Sequence, residues 1–232
     1  MDLVVGGGPV QGCEPVEYLK KNHRDFVVVD TDPDCPAVRK YGLKQSSKID
    51  ETGEFFIQGD LTTSLALLTE IRPEYVFPTS PIHLVAEMVK IKFKLKPWKE
   101  AIDKILPYLP QAVVVRVGRG ELAVSFNRDN DCVEKCEAPE IFSGSKISEK
   151  CTMDRLRPCT MDQLMRYACP AGFILFSHTM SPGLGAFKGI EIIDFLNWVE
   201  RKENFVLATS CNCHGIFWGF RKINATGWPE TV

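Results

Sequence analysis

The sequence predicts an α/β protein built on a Rossmann-like, mostly parallel sheet, and three observations lead to that prediction. Short apolar segments alternate with helical segments over residues 1–95. A glycine-rich stretch follows the first apolar segment, and the second apolar segment ends in an acid, Asp30. Alternating strands and helices are typical of parallel strands joined by right-handed crossovers.

The first strand, over residues 3–5, leads into three glycines in a G-x-G-x-x-x-G pattern. They are Gly6, Gly8 and Gly12. Such glycines allow a tight turn and close approach of a phosphate, toward which the next helix directs its free N–H groups. The second strand covers residues 26–29. Asp30 or Asp32 then lies at the distance expected of a carboxylate that accepts hydrogen bonds from a ribose hydroxyl.

The alternation continues beyond the second strand. We expect strands over residues 54–57 and 75–77, with a helix over residues 61–71 between them. In a parallel α/β sheet a ligand lies outside the carboxyl ends of the strands, which places Asp60 and Thr79 near the glycine loop. The same residues also suit a Rossmann-like fold that has no ligand.

Residues 1–95 resemble the nucleotide-binding domain of bacterial potassium-uptake regulators. The resemblance is carried by Val-Val-Gly-Gly-Gly from Val4, by Asp-Thr-Asp-Pro from Asp30, and by Gln-Gly-Asp-Leu-Thr from Gln58. It covers about two-fifths of the chain and implies the fold, together with NAD(P) or another nucleotide as the ligand.

The rest of the chain predicts a second, smaller α/β lobe. We place the Rossmann-like nucleotide-binding lobe at residues 1–110 and the second lobe at residues 111–232. Two β-rich runs, 112–117 and 122–126, are joined by Gly118-Arg-Gly120 and predict a hairpin. The cysteine-rich segment 127–160 follows as an insertion.

Composition narrows the classes of protein that remain. Of 232 residues, 44% are hydrophobic and 25% charged, and the net charge is −2. That balance argues against nucleic acid and membrane surfaces as partners. The N-terminus shows no signal-peptide pattern, so we expect a cytoplasmic protein. Nine cysteines in a reducing compartment indicate metal or thiol chemistry.

Four of the nine cysteines fall in the cysteine-rich segment: Cys132, Cys136, Cys151 and Cys159. A long polar stretch inside a compact protein has a functional reason or is disordered. Four thiolates that clamp one metal would supply that reason, with zinc or an iron–sulfur cluster as the cofactor. The alternative is an irregular loop that carries incidental thiols.

A second glycine pattern occurs near the C-terminus. Residues 172–178 predict a strand, and Gly183 and Gly185 lie between it and a helix from about residue 190. This arrangement predicts a second anion-binding loop, which would add to the cofactor-binding residues. The alternative is a tight turn in which glycine adopts positive φ.

The most reactive stretch follows a strand predicted over residues 205–209. It reads Cys211-Asn-Cys213-His214, and in an extended chain both cysteines project to one face. Two sulfurs and an imidazole could hold a metal. Alternatively, Cys213 is a catalytic nucleophile activated by His214 or His178.

Three functions follow from these patterns. The first is a cytosolic protein that binds a nucleotide and a metal, with a redox or regulatory role. The second is a cysteine-dependent enzyme that uses Cys211 or Cys213 with His214. The third is a regulatory module with a structural zinc only. A small-molecule nucleotide, a second copy of the chain or a redox protein are the expected partners.

Overall fold

The computed structural model describes residues 1–8, 12–46, 49, 52–79, 83–126, 160–181 and 183–223. Within these ranges the strands are β1 (Asp2–Val5), β2 (Phe26–Asp30), β3 (Lys44–Gln45), β4 (Glu54–Gln58), β5 (Tyr75–Pro78), β6 (Leu95–Pro97), β7 (Val114–Val117), β8 (Glu121–Ser125), β9 (Phe173–Phe176), β10 (His178–Ser181), β11 (Leu184–Lys188), β12 (Asn204–Ser210) and β13 (His214–Lys222). The α-helices are α1 (Cys13–Lys21), α2 (Pro36–Tyr41), α3 (Leu61–Ile71), α4 (Leu84–Lys92), α5 (Lys99–Ile105), α6 (Met161–Ala168) and α7 (Gly189–Glu200). The α/β class expected from the sequence is confirmed.

The first of two compact units contains Met1–Lys92 and His178–Asn197. Its described strands form one sheet in the order β10-β11-β5-β1-β2-β4-β3. The five strands from β5 to β3 run parallel, whereas β11 pairs antiparallel with β5. β1 is buried along its whole length and β2 over all but its last residue, which is typical of parallel strands covered on both faces.

The direction of the crossovers in this unit reverses at β1. The chain passes from β1 to β2 and then to β4 on one side, and afterwards returns to place β5 on the other side. A reversal of this kind leaves a crevice at the carboxyl ends of the two central strands. The residues that follow β1 and β5 in the described chain, Gly6–Gly8 and Thr79, lie at that edge.

The second unit contains Phe93–Ser177 and Trp198–Val232. Its described strands follow the order β7-β8-β13-β12-β9, and β6 pairs with β13. β12 and β13 form an antiparallel hairpin that ends with Ser210 opposite Gly215. The core beneath this sheet is closed by side chains of α5 and α6. Its fully buried members include Ile102, Leu122, Leu164, Met165 and Phe217.

The hairpin predicted at residues 112–126 is present as β7 and β8. The chain divides differently from the predicted boundary at residue 110. α5 belongs to the second unit, whereas β10 and β11 belong to the first, where β11 pairs with β5. A pairing between strands so far apart along the chain leaves no local signal in the sequence.

The described residues do not form the predicted second glycine loop, because a turn and strand β11 occupy this stretch. Gly185 lies inside β11, opposite Thr179 of β10, and Gly183 occupies the turn between these strands with φ 81°. Gly185 pairs with β10, and Phe187 and Lys188 pair with β5, so this stretch is a strand and not a loop whose N–H groups converge on an anion. The tight turn, which was the alternative explanation of these glycines, is what the structure contains.

No helix in the described ranges is both long and apolar enough to cross a membrane.

Candidate metal centre

A short hairpin loop brings the reactive residues together. Beyond the last strand pair, the Cys211 N–H donates to the His214 carbonyl at 2.9 Å, so Asn212 and Cys213 form a two-residue loop. Residues directly opposite in an antiparallel pair share a face, which places Cys211 beside His214. Cys213 lies beside Cys211 and His214 because the chain turns here, and not because it is extended as the sequence suggested.

Hydrogen bonds from three other segments hold this loop in place. The Phe126 N–H donates to the Cys213 carbonyl, and the Met161 N–H donates to the Asn212 carbonyl, each at 2.9 Å. The Ser177 N–H donates to the Ser210 carbonyl at 2.7 Å. The cysteines are therefore positioned by the sheet before any ligand arrives, which is what a tight site requires.

Three donor atoms of Cys211, Cys213 and His214 lie within 4.8 Å of one another. The two sulfurs are 3.8 Å apart. His214 Nδ1 lies 3.8 Å from the Cys211 sulfur and 3.0 Å from the Cys213 sulfur. Tetrahedral zinc, with bonds of about 2.3 Å to sulfur and about 2.0 Å to nitrogen, separates two sulfurs by about 3.8 Å and a sulfur from a nitrogen by about 3.5 Å. The described donors fit zinc after a small movement of the imidazole.

The cluster is partly shielded and holds a thiolate. Cys213 is 7% exposed, whereas Cys211 and His214 are half-buried. The pKa of Cys211 is lowered from 9.0 to about 4, mainly by the hydrogen bond from the Cys213 thiol, although burial acts to raise it. Hydrogen bonds from His214 and from the backbone N–H groups of Cys213 and His214 act in the same direction as the Cys213 thiol. Cys211 is thus ready at neutral pH to act as a ligand or as a nucleophile.

The lowered pKa of Cys211 predicts a titration in the metal-free protein. Because the pKa in the folded state lies below the ordinary value of 9.0, the Cys211 thiolate stabilises the fold above that pH. This stabilisation is lost as the pH falls through about 4. Ultraviolet thiolate absorbance should therefore show a transition in the acidic range that Cys211→Ser removes. A first transition only near the ordinary pKa would contradict the predicted shift.

The other predicted thiolate ligands, Cys132, Cys136, Cys151 and Cys159, lie outside the described residues, so the four-thiolate site stays a prediction. Phe126 precedes the cysteine-rich segment and Met161 follows it closely, and both donate to the loop that holds the cluster.

The predicted nucleotide residues of the first unit meet at the edge of the sheet and bond to its backbone. Asp30 accepts from the N–H of Gly7 at 2.5 Å and from that of Asp32 at 2.9 Å. The Thr79 hydroxyl donates to the Val5 carbonyl at 2.8 Å.

The remaining predicted residues at this edge also serve local structure. Asp32 accepts from the N–H of Asp34. Asp60 caps α3, and the Thr63 and Thr62 N–H groups lower its pKa. Gly6 has φ 105°, and the Gly12 N–H donates to the Gly8 carbonyl at 3.2 Å. Nucleotide binding here stays a prediction.

Substitution of Asp30 tests the structural part of this arrangement. The carboxylate accepts two backbone N–H groups, and charge-assisted bonds of this kind contribute about 1.5–3 kcal/mol each when a partner is lost. Because the bond from Asp32 is exposed and contributes little, we expect Asp30→Ala to lower the free energy of unfolding by about 2 kcal/mol in urea titrations of the nucleotide-free protein. Unchanged stability would show that these bonds contribute nothing.

Two residues near the cluster gave no clear signal in the sequence. The Ser210 hydroxyl donates to an Asp162 carboxylate oxygen at 3.3 Å, and Asp162 stands in the first turn of α6. The helix itself was foreseeable, because Thr160 and Gln163 form a capping box.

His178, which the sequence offered as a second group to activate Cys213, belongs to the other unit. Its ring lies 6.2 Å from that of Tyr75.

The fold and the cluster define a two-unit α/β protein with a dithiol–imidazole centre. Two family models match it in tandem: AF_1314_N, an uncharacterized protein's N-terminal domain, over residues 1–84, and AF_1314_C, the C-terminal domain, over residues 83–223. The chain belongs to this AF_1314 family. It is 42% identical over 224 residues to an uncharacterized protein of Archaeoglobus fulgidus, covering 96% of this chain and 100% of the relative. No solved structure matches the chain.

Proposed function

We propose that the protein binds zinc through Cys211, Cys213 and His214. The observation that supports this most directly is the set of distances among the three donor atoms, since the separation of 3.8 Å between the sulfurs is that of two ligands on tetrahedral zinc. Soft thiolates combined with imidazole favour zinc over hard cations such as magnesium or calcium.

An iron–sulfur cluster is the alternative cofactor at this site. Such clusters are commonly held by four cysteine thiolates, whereas the described donors are two sulfurs and one nitrogen. The three described donors leave a fourth position on tetrahedral zinc, which a further side chain fills in a structural site and water or substrate fills in a catalytic site. When bound, zinc would supply Lewis acidity or an activated water at neutral pH.

Metal analysis of protein purified without oxygen tests the proposal. We expect about one zinc per chain, with little iron or sulfide and no broad visible absorption. Iron with matching sulfide and a brown colour would support a cluster instead. Protein that contains no metal and does not take up zinc on titration would overturn the proposal.

One contact favours the alternative of a thiol enzyme. The Cys213 sulfur lies 3.0 Å from His214 Nδ1, within reach of proton transfer to that ring. Labelling with iodoacetamide distinguishes the two functions, because zinc should protect both thiols from the reagent. Labelling that zinc leaves unchanged would favour the enzyme.

We also propose that the first unit binds a nucleotide and that the protein is cytoplasmic. The crevice between β1 and β5 is where α/β sheets bind nucleotides, and calorimetric titration with NAD and NADP tests it. All five cysteines in the described ranges are free thiols, which suits a reducing compartment.

A further inference from the structure

A cavity of about 420 Å³ lies in the second unit, away from the metal centre. It is lined in part by Asn204–Val206 at the start of β12, whereas Cys211 follows the end of that strand. Its volume falls in the range of small-molecule sites. Neither the zinc proposal nor the predicted nucleotide site uses this cavity.

The walls of the cavity are largely aromatic. Trp98, Tyr108, Trp198 and Phe205 all contribute to its lining. The rings of Trp198 and Phe205 meet edge to face, with centroids 6.1 Å apart and an interplanar angle of 83°. Aromatic side chains in such a wall offer flat surfaces that suit a planar apolar molecule.

The charged side chains that line the cavity are both positive. Lys104 and Lys202 both line the cavity, and no Asp or Glu is among the described residues that do so. The Lys202 ammonium lies 5.1 Å from the centre of the Trp198 ring. Neither lysine forms an ion pair with a carboxylate in the described ranges. The lining therefore favours an anionic group.

Tyr108 adds an exposed aromatic surface. Its side chain is 57% exposed, and its ring contacts that of Tyr167, which is 50% exposed, with centroids 6.5 Å apart. Adjacent exposed aromatic side chains beside a cavity are typical of a surface that a ligand covers.

We infer that this cavity binds a small planar aromatic molecule that carries one anionic group. The aromatic body packs against Trp98, Trp198 and Phe205, and the anion lies near Lys104 and Lys202. The combination of an apolar flat wall with two lysines, in a described lining that contains no Asp or Glu, selects this class over neutral aromatics and over cations.

Two fluorescent probes that share a ring system test the inference in the full-length protein. Anilinonaphthalene sulfonate carries the anion, and phenylnaphthylamine is its neutral analogue. We expect the sulfonate to bind roughly tenfold more tightly than the neutral probe, since two partly exposed ion pairs supply that difference. In the double variant Lys104→Gln/Lys202→Gln the two affinities should become equal.

Two further variants locate the binding. Ala171 is exposed and lines the cavity, so Ala171→Trp should fill the space and reduce binding of both probes without disturbing the core. Lys99→Gln, on the same helix as Lys104 but outside the lining, should leave both affinities unchanged. Equal affinity of the two probes for the unaltered protein, or sulfonate binding that survives Ala171→Trp, would overturn the inference. Circular dichroism confirms that each variant is folded.

Discussion

Serine in place of Cys211 or Cys213 is expected to abolish stoichiometric zinc binding. Each substitution removes one of the three described donors, and a serine hydroxyl is neither soft nor ionised at neutral pH. Loss of a group that only supports a ligand costs about 10–100-fold in affinity, so loss of a ligand should weaken zinc binding by more than ~100-fold. Competition against a chromophoric chelator measures the change.

Cys169→Ala is the matched control for this experiment. Cys169 belongs to the same unit but is not part of the cluster, and burial raises its pKa. We expect this variant to keep about one zinc per chain and the original affinity. Unaltered zinc affinity in both Cys211→Ser and Cys213→Ser would contradict the assignment of the ligands.

Alanine in place of Asp2 is expected to cause a large loss of stability in the first unit. The Asp2 side chain is fully buried and accepts from Arg24 Nε at 2.5 Å and Arg24 Nη2 at 3.0 Å. It also accepts from the Tyr75 N–H at 3.0 Å. Removing one partner of a buried ion pair costs about 3–5 kcal/mol. Because Arg24 is 27% exposed and keeps its bond to Glu74, we expect the loss to lie near the lower end of that range.

Glu74→Ala provides the comparison for Asp2. Glu74 bonds the same guanidinium at 2.6 Å, but its side chain is 59% exposed. Exposed ion pairs contribute about 0–1 kcal/mol, so this variant should be nearly as stable as the unaltered protein. Urea unfolding followed by far-ultraviolet circular dichroism measures both. Equal losses in the two variants would show that burial of Asp2 is not what makes its contribution large.

Local patterns were enough to predict four of the five parallel strands of the first sheet, whereas the two-residue strand β3 was not predicted. The apolar runs that became β1, β2, β4 and β5 are continuous and bounded by glycine or acidic residues, so their type followed from the sequence. The addition of β11 to β5 could not be predicted, because nothing in Leu184–Lys188 identifies its distant partner. The spacing of Gly183 and Gly185 led to the prediction of a phosphate loop, because a hairpin turn and a phosphate loop both need glycine.

The candidate metal centre was predictable to the extent that its residues are neighbours in the sequence. Cys211, Cys213 and His214 lie within four positions, so any tight turn brings their side chains close together. The residues that hold the loop were missed, because Phe126 and Met161 act through backbone N–H groups that carry no side-chain signal. The structural role of Asp30 was hidden for the same reason, since its partner is the Gly7 N–H.

The pairing of β11 with β5 has a consequence for synthesis of the protein on the ribosome. β5 is translated well before β11, and most of the second unit lies between them in the chain. During that interval the outer edge of β5 has no partner strand and can pair with another chain. We therefore expect the nascent protein to depend on chaperones until Lys188 has emerged, and truncations that end after α4 to aggregate.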